Sequence, residues 1–132
     1  MTSTSQTLPE LRIPVTRKLI VGGAIATRDY QDVHHDAVAA KERGSPDIFM
    51  NILTTNGLVG RYVAECLGPG VEVRAVRIRL GVPQYPDDEL VFTGEFTPGE
   101  DGTGQVSVVG TNRLGAHVTG TITVVLPGEA RA

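Results

Sequence analysis

At 132 residues, with 40% hydrophobic and 20% charged residues, the chain has the length of one domain with a real core, and its balance excludes a disordered polypeptide. The net charge of −3 argues against a general nucleic-acid binder, which carries a clustered basic excess. A lone cysteine, Cys66, excludes an internal disulfide and a cysteine-based zinc site, and no apolar run approaches the ~18 residues that span a membrane.

The start of the chain is polar, rich in Ser and Thr, and lacks a signal-peptide pattern, so a cytoplasmic location is expected. Residues 1–14 are expected to be a flexible tail in front of a single domain. Residues 18–27 (KLIVGGAIAT) read as a strand weakened by Gly22 and Gly23, and residues 37–43 as a short helix stopped by Gly44. Residues 45–67 predict one helix of roughly 30 Å, with Ser45 as cap and Pro46 and Asp47 in its first turn. Its expected apolar face includes Ile48, Phe49, Ile52, Leu53, Val59, Tyr62, Val63, Cys66 and Leu67, and Gly68-Pro69-Gly70 ends it.

Four alternating segments come next, at residues 71–82, 89–97, 104–113 and 116–126, joined by turn-rich links. One long helix and about five mostly antiparallel strands make an α+β layer arrangement, and a helix rolled into a curved sheet is a hotdog fold. Arg74, Arg77 and Arg79 change parity within their strand, which predicts a bulge or twist. They suit the phosphates of a ligand or an edge contact between subunits. The segment from Gly81 to Pro86 is expected to form a turn at a subunit boundary, and His117 to lie on the surface.

Chemistry concentrates in Thr27-Arg28-Asp29-Tyr30-Gln31-Asp32-Val33-His34-His35-Asp36, which holds three carboxylates and two imidazoles. A carboxylate beside an imidazole can orient the ring, hold a water and move protons near neutral pH. Composition alone also allows a solvated loop or a metal site. His35 reads as exposed or packed. Thr55 and Asn56 fall inside the expected apolar arc, where polar groups need partners. Thr55 either bonds back to its own helix or faces a site.

Asp29, His34 and Asp36 match the spacing of Asp-x-Asn-Pro-x-His-x-Asp, so the chain resembles the MaoC-like (R)-specific enoyl-CoA hydratases. Gln31-Asp32 replaces the Asn-Pro of that pattern. Together with DIFMNILTTNGLVGRYV and RLGVPQYPDDELVFTGE, the motif resembles the small catalytic subunits of actinobacterial heteromeric hydratases acting on steroid side-chain enoyl-CoA thioesters. The resemblance implies catalysis by Asp29 and His34, with Thr55 near the place of a serine beside the pair. It implies a thioester-binding amide at Met50 or Asn51, where Phe49-Met50 replaces the His-Gly of relatives. It implies no cofactor beyond the CoA of the substrate. It also implies a larger MaoC-like partner that lacks the Asp/His pair, two copies of each subunit, and no nucleic-acid or membrane partner. The alternatives are a non-catalytic hotdog scaffold and a hotdog thioesterase, for which the central helix offers only Asp47 and Glu65.

Overall fold

The computed structural model describes residues 4–127. Nine elements succeed one another: β1 (Gln6–Val15), α1 (Arg17–Ala26), a 3₁₀ turn (Asp32–His34), α2 (Ala37–Glu42), α3 (Ile52–Leu67), β2 (Glu72–Leu80), β3 (Asp88–Pro98), β4 (Thr103–Asn112) and β5 (Gly115–Val125). The strands form one antiparallel sheet in the order β1-β3-β4-β5-β2. The four strands after α3 lie where alternation placed them, and the arrangement is the expected α+β hotdog.

Three local expectations are corrected. Residues 6–15 are not a tail: they pair with β3, with a register shift between Leu8 and Leu11 where Pro9 has no N–H to donate. Side chains Ile13 and Val15 enter the core, which the Ser/Thr-rich start concealed. Residues 17–26 are a helix rather than a strand. Thr16 caps it through Oγ1, 3.0 Å from the Leu19 amide, and Ile20 and Ala24, one turn apart, are its buried pair. A short apolar run fits either period, and the two glycines point to close packing instead of strand weakness. A Cβ on Gly23 would lie 2.3 Å from Oγ1 of Thr54, so only glycine lets α1 reach α3 this closely.

The central helix starts at Ile52, not near Ser45, which shortens it to 16 residues, ~24 Å. Its cap is Asn51, whose side chain accepts from the Thr54 amide at 3.1 Å. Residues 45–51 are instead held by tertiary bonds: Asp47 takes two bonds from Arg17 at 2.9 and 2.7 Å, and the Phe49 amide donates to the Val33 carbonyl at 3.0 Å. Ile48 and Met50 alternate inward there, both 2% exposed. Asn56 proves exposed, while Thr55, Val59, Tyr62 and Val63 line the buried face of α3.

That face lies on the sheet. The Tyr62 ring stacks on Phe92 of β3 with centroids 5.6 Å apart, a contact worth ~0.5–1.5 kcal/mol beyond its area. Gly94 lies beneath the same ring, since a Cβ there would be 3.0 Å from Tyr62 and 2.8 Å from the Ser107 carbonyl oxygen. The bulge foreseen among the arginines falls between Val73 and Ala75 of edge strand β2. Val73, Val76 and Leu80 pair with Val124, Ile122 and Val118, which point into the core, yet they stay 43%, 37% and 38% exposed. The helix does not reach far enough to cover them.

Candidate active site

Helix α1 ends at Thr27, and Arg28 turns the chain through the left-handed region at φ 58°. Backbone bonds pin the loop beyond it: the Asp29 amide donates to the Ala24 carbonyl at 2.8 Å, and the His34 amide to Gln31 at 3.0 Å through the 3₁₀ turn. Asp36 caps α2, accepting from the Val38 and Ala39 amides at 2.9 and 3.2 Å. The last aspartate of the motif is therefore structural.

This turn brings Asp29 and His34 together, with Nε2 of His34 3.4 Å from Oδ2 of Asp29. The imidazole is buried and meets Phe49 edge-on, centroids 5.0 Å apart. Its Nδ1 lies 2.7 Å from the Phe49 carbonyl oxygen, which can only accept, so Nδ1 carries the hydrogen. In the neutral ring Nε2 then presents a lone pair towards the carboxylate. A water placed over the pair can donate one hydrogen towards each acceptor, an arrangement that would leave its oxygen free to attack.

The carboxylate is held from both sides. Oδ2 accepts from Nδ2 of Asn51 at 3.1 Å, and Oδ1 from the Gln31 amide at 3.2 Å. The Asn51 bond keeps the Asp29 carboxyl below the usual carboxylate range, opposed by partial burial and aided by the Gln31 amide and the His34 ring. Nδ2 of Asn51 also reaches Oγ1 of Thr27 at 2.9 Å, joining the end of α1 to the start of α3. The sequence marks this residue for its amide and hides its side chain. Asn51-x-x-Thr54, a capping signature, is the local signal that could have revealed it.

The remaining candidates separate by their partners. The Met50 amide donates to the Gln84 carbonyl at 3.0 Å, and the Met50 side chain is core. The Asn51 amide has no partner among the described residues, and it stands at the positive end of α3. Thr55 is fully buried, and its hydroxyl lies 2.8 Å from Nε2 of His117 and 3.4 Å from the Asn51 carbonyl. His117, expected on the surface, is 2% exposed. The β4–β5 register shifts between Gly110 and Thr111, so His117 is the extra residue of a bulge and points inward beside Val118. His35 donates from Nε2 to the Asp29 carbonyl at 2.7 Å, which makes it a support of the loop. The two carboxylates the central helix offered to a thioesterase are engaged: Asp47 with Arg17 and Glu65 with Arg61 at 2.6 Å. Among the described residues, no group of three or more His, Cys, Asp or Glu side chains could hold a metal.

The MaoC like domain matches residues 2–118. The 3-oxo-4,17-pregnadiene-20-carboxyl-CoA hydratase beta subunit of Mycobacterium tuberculosis is 50% identical over 122 residues, 92% of this chain and 95% of that protein. A chain in the crystal structure of the ChsH1-ChsH2 complex from the same organism superposes with a TM-score of 0.91 at 48% identity, covering 96% of this chain and 100% of that one. The R-hydratase PhaJ1 from Pseudomonas aeruginosa shares the fold at a TM-score of 0.84 and 18% identity, over 96% of this chain and 82% of its own. A match across most of the chain and a half-identical relative of nearly equal length agree: the chain belongs to the MaoC-like domain family.

Proposed function

We infer that this chain is the catalytic subunit of a heteromeric hydratase that adds water across the α,β double bond of a steroid side-chain enoyl-CoA thioester. The observation that carries the reading is the Asp29–His34 pair, 3.4 Å apart, in a loop whose carboxylate is anchored by the residue that opens α3. The relative's name supports the acyl class and the subunit role.

In the reaction, Nε2 of His34 takes a proton from the bridging water while its oxygen bonds to the β-carbon. The π electrons move towards the thioester oxygen, where the unpartnered Asn51 amide and the α3 dipole stabilise the enolate charge. The proton held on His34 then passes to the α-carbon, so one water has been added and no redox change has occurred. Asp29 stays ionised, orients the water and stabilises the imidazolium. Of the two candidate amides, that of Asn51 is the donor, because the Met50 amide is occupied by Gln84. No cofactor is needed beyond the CoA of the substrate, and a reducing cytoplasm suits the free thiol of Cys66.

The partner follows from shape. Ile25, Ile52 and Leu53, each more than half exposed, lie on the two helix ends joined by the Thr27–Asn51 bond. They offer a floor for a polycyclic acyl group and require a second subunit as its roof. The test is turnover of 3-oxo-4,17-pregnadiene-20-carboxyl-CoA by the complex with a larger MaoC-like subunit, followed by loss of enoyl-thioester absorbance. Asp29→Asn and His34→Ala should each lower the rate at least ~100-fold with the complex intact. Near-full turnover by either variant in a folded complex overturns the reading.

A further inference from the structure

His117 joins two segments that meet at the start of α3. Its Nδ1 lies 2.7 Å from the Val82 carbonyl oxygen and its Nε2 2.8 Å from the Thr55 hydroxyl. A carbonyl oxygen cannot donate, so Nδ1 carries the hydrogen; burial holds the ring's proton affinity below the ordinary histidine range, and the neutral ring accepts from Thr55 at Nε2. The backbone of the same residue grips the same loop, because its carbonyl accepts from the Gly81 amide at 2.7 Å. A Cβ on Gly81 would lie 2.3 Å from the Ala116 carbonyl oxygen, so the loop is pressed against β5.

Both arms of this clamp lead to one place. Through Val82 it fixes the loop whose Gln84 carbonyl takes the Met50 amide at 3.0 Å. Through Thr55 it fixes the first turn of α3, since the Thr55 amide donates to the Asn51 carbonyl at 3.2 Å. Residues 50 and 51 are thus held from the loop side and from the helix side. Asn51 in turn restrains the Asp29 carboxylate. A β-bulge turns His117 inward, and bulges next to functional sites commonly re-aim a side chain.

We propose that His117 and Thr55 form a buried positioning pair that sets the Asn51 amide and, through the Asn51 side chain, the Asp29 carboxylate for the transition state. The pair touches neither substrate nor the reacting atoms. It deepens the hydratase reading and rests on it. Loss of the pair leaves the acyl surface intact and misplaces groups needed at the transition state, so kcat falls while KM holds.

The test compares wild-type complex with Thr55→Val, Thr55→Ser, His117→Leu and His117→Gln, using 3-oxo-4,17-pregnadiene-20-carboxyl-CoA, with amide hydrogen exchange at residues 50–54 as a readout independent of turnover. Thr55→Val and His117→Leu should lower kcat by about 10-fold, with KM changed less than about 3-fold and faster exchange in that turn. Thr55→Ser restores the hydroxyl and should recover kcat to within about 3-fold of wild type. His117→Gln can still accept from Thr55 and should fall between. If His117→Leu fails to fold, the near-isosteric Thr55→Val carries the test. Unchanged kcat in Thr55→Val, or an equal loss in Thr55→Ser and Thr55→Val, overturns the assignment. A complex as inactive in wild type as in Asp29→Asn refutes the hydratase reading instead, and hydrogen exchange alone then shows whether the clamp holds residues 50–54.

Discussion

The Asp29 carboxylate is kept ionised chiefly by an amide, with no arginine or lysine among the causes. Because the folded state binds a proton at Asp29 less readily than the unfolded chain does, the contact adds stability above the ordinary aspartate range. That contribution disappears as pH falls through the lowered folded value. Asn51→Asp tests the origin of the effect, since it keeps a capping oxygen for Thr54 but replaces the Nδ2 donor with a second carboxylate beside Asp29. The acid limb of kcat/KM should move to higher pH by about one unit, because two adjacent carboxylates cannot both ionise easily. A pH–rate profile unchanged from wild type would remove Asn51 from the account. His35→Ala should cost a few-fold in rate, roughly one hydrogen bond to the backbone of Asp29, far less than either member of the pair. The meeting of Asp29 and His34 was legible because five residues of spacing lie within one continuous loop. The side-chain work of Asn51 was not, because it depends on where α1 ends relative to α3.

Helix α1 was misread in type and α3 in its start, and both errors have the same origin. KLIVGGAIAT holds few polar residues to show its period, and its glycines serve an inter-helix crossing that no local pattern encodes. Ser45-Pro46-Asp47 looks like a helix start, yet Asp47 caps no helix and binds Arg17, thirty positions away. Strands β2 to β5, by contrast, show alternation within each segment and turns between them, which is information local enough to read. The crossing can be measured directly. Gly23→Ala would force a methyl against Oγ1 and Cγ2 of Thr54, and should destabilise the protein by ~1–3 kcal/mol in denaturant unfolding. Since Thr54 donates to Asn51 at 2.5 Å, turnover should fall as well. Gly22→Ala, next to it with open space at its Cβ, should be neutral or slightly stabilising through helix propensity.

The sheet has two free edges of different character. Strand β1 is clasped to the helix, with the Tyr62 hydroxyl donating to the Pro9 carbonyl at 2.9 Å. On β2, Arg77 and Arg79 pair with Thr121 and Thr119 on one face, while Val73, Val76 and Leu80 lie half-covered on the other. Apolar groups on the core side of an unprotected edge are what a second hotdog would bury. Val76→Glu should leave the fold of this subunit intact and abolish co-purification with the larger subunit, as read by mass measurement of the purified complex. Retention of the full complex would place the interface elsewhere. The sequence displayed this edge only as a change of parity among arginines, because exposure is a property of the assembled sheet.

The cap of α3 has a thermal consequence. Exposed helix ends open at lower free-energy cost than the core, but Met50, Asn51, Thr54 and Thr55 are buried, and the side chain that caps this end is the one that restrains Asp29. The carboxylate therefore stays positioned for as long as the buried face of α3 stays on the sheet. Warming should abolish turnover only together with the cooperative melting transition. Assay and ellipticity followed in parallel should give coincident midpoints, and a loss of turnover several degrees earlier would mean that the first turn opens by itself.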